Sequence, residues 1–556
     1  MPTRSDTADL ILTGATVLTM DTDRPQAEAV AVSGGEITAV GTAADVGALR
    51  GPGTEVIDLA GAAVLPGFVE AHGHPSVMGL AIAPPALDVR PFVARDGAAV
   101  LASIRHAVRR APREPLGAYG VDPLLQRDLP PLTRELLDDL HPGAPLLVLS
   151  NSGHAAWANT AALRAAGVDR TTPDPPGSWY VRDAAGDPTG EAHESTAVEH
   201  LMRAVLSDRL DPGPLREALR WAFDQHARVG ITTASDMACA PDLVPVLRDL
   251  AGAADAKLRL RTWMIGTPEL ASAAHASPFT DKPSSAMYAT VGAKLWADGT
   301  PWQASIATTF PYLDTEGARR TGADPCGGHG SMNYTPEQLA ELVAQFTAAG
   351  VPVATHVHGD LTCEAVLDAY ARAARQDPQR MRALRPRMEH CGAVTREQYL
   401  RAAELGATVS LFMDHVRWWG DVLADDLYGP EVAARWMSAR TAWDAGHRVS
   451  LHNDGVCTPT DPLSGVATAV TRQSTSGRVH GIQQALTVEE ALRAVTVNAA
   501  WQLHLEDHAG MLRPGMRADF AVLNQDPRAV PPARLHEDVR VTATFLDGRR
   551  TWAEEK

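Results

Sequence analysis

Histidines recur where apolar, strand-like stretches of the chain end. The segment GFVEAHGHPS (residues 67–76) places His72 and His74 one residue apart at the end of such a stretch. Residues i and i+2 of a strand point to the same side, so the two imidazole rings can face one point. A metal ion could occupy that point, because neutral imidazole is a common metal ligand; two surface histidines on a loop are the alternative.

The same kinds of side chain follow four later strand-like stretches. AKLWADG contains Lys294, HVHGD contains His356 and His358, RMEH ends in His390, and LHND ends in Asp454. Imidazoles and a carboxylate together suit zinc, manganese or iron. We therefore predict one or two divalent metal ions per chain, with zinc as the first expectation.

Lys294 is the unusual member of this set, because an ammonium group repels a cation. Its amine would become an anionic, bridging ligand if CO₂ carboxylated it. The alternative is a buried lysine that pairs with the nearby Asp298. The sequence leaves both readings open, and with them the choice between one metal ion and two.

The middle of the chain alternates strand-like and helix-like stretches. One predicted helix, in TPEQLAELVAQFTAAG, begins at Thr335, which suits an N-cap, and ends at Gly350, which suits a C-cap. Eight such strands alternate with helices, which predicts an α/β fold of the (β/α)₈ barrel type. Barrel enzymes place their active sites at the carboxyl ends of the strands, where the histidines and Asp454 fall.

The spacing of the first two predicted strands is abnormal. The stretch from His74 to Gly230 is several times longer than a simple βα unit, which needs about 30 residues. We therefore predict a large insertion, at about residues 80–210, on the catalytic face of the barrel. An insertion at that place is expected to cover the site and to shape substrate specificity.

Both ends of the chain contain short alternating strands, such as ADLILTGATVLTM near the start and ADFAVLN near the end. This pattern predicts that the two termini pair into one small β-sandwich. The predicted division is residues 1–65 and 505–556 for the sandwich and 66–504 for the barrel with its insertion.

Composition excludes several classes of protein. The 556 residues include 50 Lys and Arg and 67 Asp and Glu, a net charge of −17, which disfavours nucleic acid and anionic membranes as partners. No stretch of eighteen apolar residues and no signal peptide is apparent. Five scattered cysteines suit a reducing compartment. We expect a cytoplasmic protein that forms a homodimer.

The ordered motifs PGFVEAHGHP, HVHGD, RMEH and LHND, together with the barrel lysine, resemble those of the amidohydrolase superfamily. GHAAWANTAALRAAGV, DPTGEAHE, KLWADGT and HVRWWGD resemble the branch that contains N-substituted formamide deformylase. The resemblance extends from about residue 8 to residue 553. No single motif is unique to the superfamily, but the ordered set is specific.

This resemblance implies a role for each metal-ligand candidate. His72 and His74 would hold one ion, His356 and His390 a second, and carboxylated Lys294 would lie between the two. Asp454 would bind metal and take the proton from the attacking water, whose pKa the metal lowers. His358 departs from the pattern, because this branch usually has an apolar residue there.

Weaker signals mark residues expected to contact substrate, and a structural role is the alternative for each of them: His154, Trp157, Trp296, Asp298, His358, His415 and Trp419. His154 is also a candidate to polarise the substrate carbonyl. Glu194 could equally contact substrate or make a structural hydrogen bond, and Trp418 could line an apolar pocket. Cys457 lies close to Asp454 in sequence, but we expect no nucleophilic role for it.

The resemblance predicts a metal-dependent hydrolase that cleaves a non-peptide C–N bond. The expected substrate is a small amide, foremost an N-substituted formamide or another N-acyl amide. A deaminase or cyclic-amide hydrolase on the same scaffold is the alternative, since fold does not determine substrate. A non-catalytic ligand-binding regulator is a third possibility, which the intact set of ligand residues disfavours.

Overall fold

A computed structural model describes residues 7–175, 178–276, 279, 286–323 and 329–555. Cys326 lies outside these residues. No helix in the described ranges is long and apolar enough to cross a membrane.

Eight parallel strands form the sheet of a (β/α)₈ barrel, and neighbours along the chain are neighbours in the sheet. Each of the eight predicted strands overlaps one of them, so the predicted barrel is confirmed. In chain order the barrel strands are Phe68–Glu70, Ile231–Cys239, Arg259–Ile265, Tyr288–Trp296, Val353–Val357, Arg387–His390, Thr408–Leu411 and Ser450–Leu451.

The first predicted strand is in fact two strands with different partners. Ala63–Pro66 belongs to a sheet of the chain termini, and Phe68–Glu70 begins the barrel. Gly67 separates them where the backbone packs closely on Thr232: a Cβ at Gly67 would lie 2.2 Å from its Oγ1. His72 and His74 therefore lie just beyond the barrel strand, and His74 is the N-cap of the next helix.

The helices of the barrel follow its strands. The predicted helix at Thr335 is present as Pro336–Ala348, and Thr335 forms a capping box with Gln338. The helices between residues 212 and 502 are Pro212–Arg228, Val244–Ala251, Pro268–Ala273, Glu316–Arg320, Pro336–Ala348, Asp360–Gln376, Pro378–Leu384, Arg396–Glu404, Asp414–Val422, Pro430–Arg435, Ala439–Asp444, Pro462–Thr471, Val488–Ala494 and Val497–Gln502, with a π-helix at Leu423–Leu427.

Between the first and second barrel strands the chain builds a separate six-stranded sheet. Its strands are Leu87–Asp88, Leu116–Val121, Leu146–Ser150, Ala155–Ala158, Trp179–Arg182 and Pro188–His193. The helices of this segment are Pro75–Ile82, Gly97–Arg110, Arg134–Leu140, Thr160–Ala165 and Ser195–Val205. Two of its antiparallel strands pair Ala155 with His193, which places the ends of both strands side by side.

The termini contribute two further sheets that share one hydrophobic core. The first contains Leu10–Thr13, Ala29–Ser33, Glu36–Gly41 and Glu55–Asp58, beside the helix Ala43–Gly47. The second contains Thr16–Leu18, Gln26–Ala27, Ala63–Pro66, Phe520–Leu523, Val541–Leu546 and Arg549–Ala553, and the short helix Leu535–Asp538 precedes its last hairpin. Phe520–Leu523 pairs with Ala63–Pro66, which joins the two ends of the chain.

Candidate metal centre

A cavity of about 750 Å³ opens at the carboxyl ends of the barrel strands, between the barrel and the segment that follows its first strand. Nearly all of the predicted site residues line it, although they come from positions as distant as 72 and 454 in the sequence. Those present are His72, His74, His154, Trp157, Lys294, Trp296, His356, His358, His390, His415, Trp419 and Asp454. The fold therefore brings together metal-ligand types and aromatic side chains around one space.

Asp454 lies between the two histidines of the HGH motif. One carboxylate oxygen, Oδ1, is 3.2 Å from Nε2 of His72 and 3.2 Å from Nε2 of His74. The other nitrogens of the two rings are already engaged, since Nδ1 of His74 lies 2.7 Å from the carbonyl oxygen of Met237. Burial would raise the pKa of Asp454, but the two imidazoles outweigh burial and lower the pKa well below its usual value. The carboxylate is therefore ionised.

Glu389 orients the ring of His72. Its Oε2 lies 2.7 Å from Nδ1 of His72, and Arg387 donates a hydrogen bond to its other oxygen. Burial opposes ionisation of Glu389, yet the charge of Arg387 and the hydrogen bond with His72 lower its pKa below the usual range. An ionised Glu389 keeps the proton of His72 on Nδ1, which leaves the lone pair of Nε2 free for a ligand.

Glu389 and Arg387 were not predicted as site residues from the sequence. The sequence did contain a signal: Arg387 and Glu389 have opposite charges, lie two residues apart and belong to a strand whose four residues are all buried. Charged side chains are almost never fully buried unless they are paired, so the pattern RMEH contained the information.

Three further imidazoles form a second cluster. His356, His358 and His390 are buried, and one ring nitrogen of each lies within 4.8 Å of one nitrogen of each of the others. Nε2 of His356 lies 2.8 Å from the carbonyl oxygen of Gly299, which leaves Nδ1 as its free nitrogen. Burial lowers the pKa of all three rings, that of His358 to about 3, so they are neutral.

Several buried ring nitrogens of the site have no hydrogen-bond partner among the described residues. They are Nδ1 of His358, Nδ1 of His390 and both ring nitrogens of His452. Unpartnered buried polar atoms are rare in folded proteins, because each loses its hydration without compensation. These histidines belong to groups of side chains whose ligand atoms lie within 4.8 Å of one another, which fits bound metal. The ring of His452 stacks on that of His72 with centroids 4.5 Å apart, so His452 also belongs to the candidate metal centre.

Lys294 lies inside the first cluster. Its Nζ is 3.2 Å from Nε2 of His72, and the side chain is buried. Burial lowers the pKa of Lys294 to about 8. No hydrogen bond or ion pair joins Lys294 to Asp298 within the described ranges, so the structure does not show the alternative pairing that the sequence allowed.

Asp298 is not among the residues that line the cavity. Its carboxylate accepts hydrogen bonds from the backbone N–H groups of His358 and Gly359, at distances of 2.8–3.1 Å. Burial raises its pKa to about 7. We predicted a substrate contact for Asp298; in the structure it instead holds the backbone that follows the fifth barrel strand.

His154 and Glu194 form a hydrogen-bonded pair on the wall contributed by the segment after the first barrel strand. Nδ1 of His154 lies 2.9 Å from Oε2 of Glu194, and both residues line the cavity. Burial opposes protonation of His154, but the hydrogen bond and charge of Glu194 outweigh it and raise the pKa of His154. Since Glu194 occupies Nδ1, Nε2 is the nitrogen available to a ligand.

Aromatic rings form another part of the wall. Trp419 stacks on Trp302 with ring centroids 4.9 Å apart, and Trp302 meets the edge of His415 at the same distance. Nε1 of Trp419 donates a hydrogen bond to Asp122 at 2.8 Å, which fixes the indole. Neither Trp302 nor Asp122 was predicted, because neither lies within one of the motifs quoted from the sequence.

Two other side chains have contrasting positions. Trp418 packs against Phe92, with ring centroids 5.2 Å apart, and is not among the residues lining the cavity. Cys457 does line it, and burial raises the pKa of its thiol well above the usual value. A neutral thiol is a poor nucleophile, which agrees with the absence of a predicted nucleophilic role.

Comparison with known proteins identifies the class of enzyme. Residues 55–552 match the model of the amidohydrolase family. The chain therefore belongs to the amidohydrolase family and is a hydrolase that acts on carbon–nitrogen bonds. The predicted resemblance is confirmed.

Individual relatives agree with this assignment. The chain is 29% identical over 551 residues to N-substituted formamide deformylase of Arthrobacter pascens, covering 97% of each protein. It is also 29% identical over 548 residues to the putative amidohydrolase YtcJ of Bacillus subtilis, covering 96% of this chain and 98% of that one. Among solved structures, an uncharacterized metal-dependent hydrolase from Pyrococcus horikoshii superimposes with a TM-score of 0.72 at 21% identity, over 94% of this chain and 99% of that one, and so shares the fold.

Proposed function

We propose that the protein hydrolyses a small N-acyl amide with the help of bound divalent metal, and that N-substituted formamides are the first substrates to test. One observation carries the proposal: ionised Asp454 and the imidazoles of His72 and His74 converge at 3.2 Å, at the floor of a cavity large enough for a small organic molecule. The similarity to a formamide deformylase over almost the whole chain supports the choice of substrate.

The donor atoms suit zinc, with manganese or iron as alternatives. His72, His74 and Asp454 would hold one ion, and His356 and His390 a second. A bound divalent ion would polarise the substrate carbonyl and lower the pKa of water towards neutrality. Buried ring nitrogens without a hydrogen-bond partner, on His358, His390 and His452, support the binding of a divalent ion.

Lys294 would complete the centre after reaction with CO₂. The neutral amine attacks the carbon of CO₂, a new N–C bond forms, and one proton leaves the nitrogen for solvent. The product is a carbamate with one negative charge, which binds cations where the ammonium would repel them. A pKa of about 8 makes the neutral amine accessible near physiological pH.

Asp454 would move the proton of the reaction. An ionised carboxylate beside the attacking water can accept its proton and then donate it to the amine nitrogen as the C–N bond breaks. The low pKa of Asp454 keeps it in the accepting form at neutral pH. The low pKa also favours rapid return of the proton to the more basic leaving nitrogen.

His154 would act from the opposite wall. With Glu194 on Nδ1, a protonated His154 presents its Nε2–H to the cavity. A donor in that position can stabilise negative charge on the carbonyl oxygen as the tetrahedral intermediate forms. The stacked Trp302 and Trp419, with Trp296 and Trp157, would receive the apolar substituent on the amide nitrogen.

The test is metal analysis followed by an amide panel. Zinc-loaded protein is assayed for formate and amine release from N-substituted formamides, with the matching acetamides, cyclic amides and aminopurines alongside. Release of the amine from formamides, lost on chelation and restored by zinc, supports the proposal. Release of ammonia from aminopurines or opening of cyclic amides, with all linear amides intact, would contradict it.

A further inference from the structure

We propose that His358 is a third imidazole ligand, and that His356, His358 and His390 hold one divalent ion independently of Lys294. This inference rests on the metal-dependent function proposed above and extends it, since it changes what holds the second ion. A carboxylated lysine would then strengthen the centre without being required for occupancy.

The three rings lie close together. The ring centroids of His356 and His390 are 4.4 Å apart, those of His356 and His358 are 4.8 Å apart, and those of His358 and His390 are 4.9 Å apart. The potential ligand nitrogens are within 4.8 Å of one another. Nitrogens about 2.0–2.1 Å from one zinc ion are necessarily this close to each other.

Nδ1 of His358 is buried without a hydrogen-bond partner in the described part of the chain, and the residue is 2% exposed. An imidazole in a purely packing role at this depth would leave a polar atom without compensation for its lost hydration. An apolar ring would fill the same space without that cost. A ligand for the ring explains why a histidine is present.

The ring of His358 is held in one orientation. It stacks on His415, with centroids 5.1 Å apart and planes 13° apart, and lies parallel to Trp436. Asp298 holds the backbone N–H of His358 itself. Gly392 leaves room for this arrangement, because a Cβ at that position would lie 2.9 Å from Nδ1 of His358. Metal ligands are typically fixed in this way by the residues behind them.

Three neutral imidazoles form a chemically complete zinc site. Known catalytic zinc sites use three protein ligands and leave one position open, and three histidines are one such set. Lys294 approaches His72 and not this triad in the described contacts, so its removal leaves the three nitrogens in place.

The experiment measures zinc binding, without reference to turnover. Chelator-stripped protein is titrated with zinc, and bound zinc per chain is determined by elemental analysis. Lys294→Met is expected to retain zinc in the triad. The double variant Lys294→Met/His358→Phe keeps an aromatic ring against Trp436. Its dissociation constant for the zinc ion of the triad should exceed that of Lys294→Met by at least about 10²-fold, which is the largest loss of affinity typical of residues that only support a ligand.

His226→Phe in the same Lys294→Met background is the matched control. It replaces another buried imidazole, on the helix Pro212–Arg228, which belongs to none of the metal-competent groups of the described residues and does not line the cavity, and should leave zinc binding within about twofold. His358→Cys loaded with cobalt adds a direct signature: a thiolate-to-cobalt charge-transfer band appears when residue 358 touches the ion. Circular dichroism confirms that each variant is folded.

Equal zinc affinity in Lys294→Met and Lys294→Met/His358→Phe, with no charge-transfer band in His358→Cys, would overturn the proposal. If this result is obtained and the wild-type enzyme is active, only the role of His358 as a ligand is refuted. A wild-type protein that binds no zinc and cleaves no amide would refute the proposed function itself.

Discussion

Nδ1 of His72 and Oε2 of Glu389 are 2.7 Å apart, although 317 residues separate them in the chain. The first residue follows the first barrel strand, and the second is in the sixth. Closure of the barrel brings them together, and the contact determines which nitrogen of His72 faces the cavity.

Loss of the negative charge of Glu389 should weaken metal binding. In Glu389→Gln the partner of His72 no longer favours the proton on Nδ1, and Arg387 is left without its counter-charge. We expect zinc affinity to fall about 10- to 100-fold, as is typical for residues that orient a ligand. Titration of stripped protein measures it, with the exposed Glu431→Gln as the control. Unchanged affinity would mean that the contact is only structural.

Asp454→Asn tests the proton acceptor. The amide has the shape of the carboxylate but cannot accept and return a proton. We expect kcat on the best amide, measured at saturating zinc, to fall by at least about 10²-fold, the lower range for acid–base catalysis. Measuring kcat and zinc content on the same preparation separates the two effects. Near-normal kcat with full zinc would assign the proton to another group, such as His154 or His358.

The carboxylation of Lys294 should depend on pH in a defined direction. Burial lowers the pKa of the amine to about 8, and only the neutral amine reacts with CO₂. In metal-free protein supplied with ¹³C-bicarbonate, the initial rate of carbamate formation at a fixed CO₂ concentration should therefore rise through pH 8 and then level off. Carbon NMR detects the carbamate. Lys294→Met should lose the signal and the surface variant Lys257→Met should keep it; a signal that persists in Lys294→Met would contradict this assignment.

Glu194→Gln should change the pH profile of the reaction. Glu194 raises the pKa of His154 against the effect of burial, so its neutralisation lets the pKa of His154 fall. If protonated His154 stabilises the carbonyl oxygen, activity is lost as pH rises through that pKa. The basic limb of the kcat/KM profile should shift to lower pH, with a loss of about 10- to 100-fold at neutral pH, the range for one hydrogen bond to a charged group. A uniform loss at every pH would indicate a structural role instead.

Gly392→Ala should destabilise the fold around the three-imidazole cluster. The added methyl would lie 2.6 Å from Cζ2 of Trp436 and 2.9 Å from Nδ1 of His358. Overpacking of this kind costs about 1–3 kcal/mol of unfolding free energy. Denaturant unfolding measures the loss. Gly213→Ala, on a helix with open space around the position, is the control and should be equally or more stable.

Local sequence determined the barrel and most of the candidate site. Strand-like stretches alternating with helices predict eight parallel strands, because β-branched and apolar runs and helix caps act over a few residues. The same stretches located the candidate ligands, since the carboxyl ends of barrel strands meet at one face whatever the rest of the chain does. Lys294, His356 and His390 are at strand ends for that reason, and His72, His74 and Asp454 lie just beyond them.

Only the tertiary structure decided which side chains meet. The pairing of His72 with Glu389, of His154 with Glu194 and of Trp302 with Trp419 depends on closure of the barrel and on the path of a long segment folded over it. Asp298 shows what sequence spacing does not determine. Its position in the sequence predicted a contact with substrate in the cavity, yet its carboxylate accepts a hydrogen bond from the backbone of His358. Sequence spacing places a residue on a face, whereas the direction of its side chain follows from packing between elements distant in the chain, where burial of a charge requires a partner.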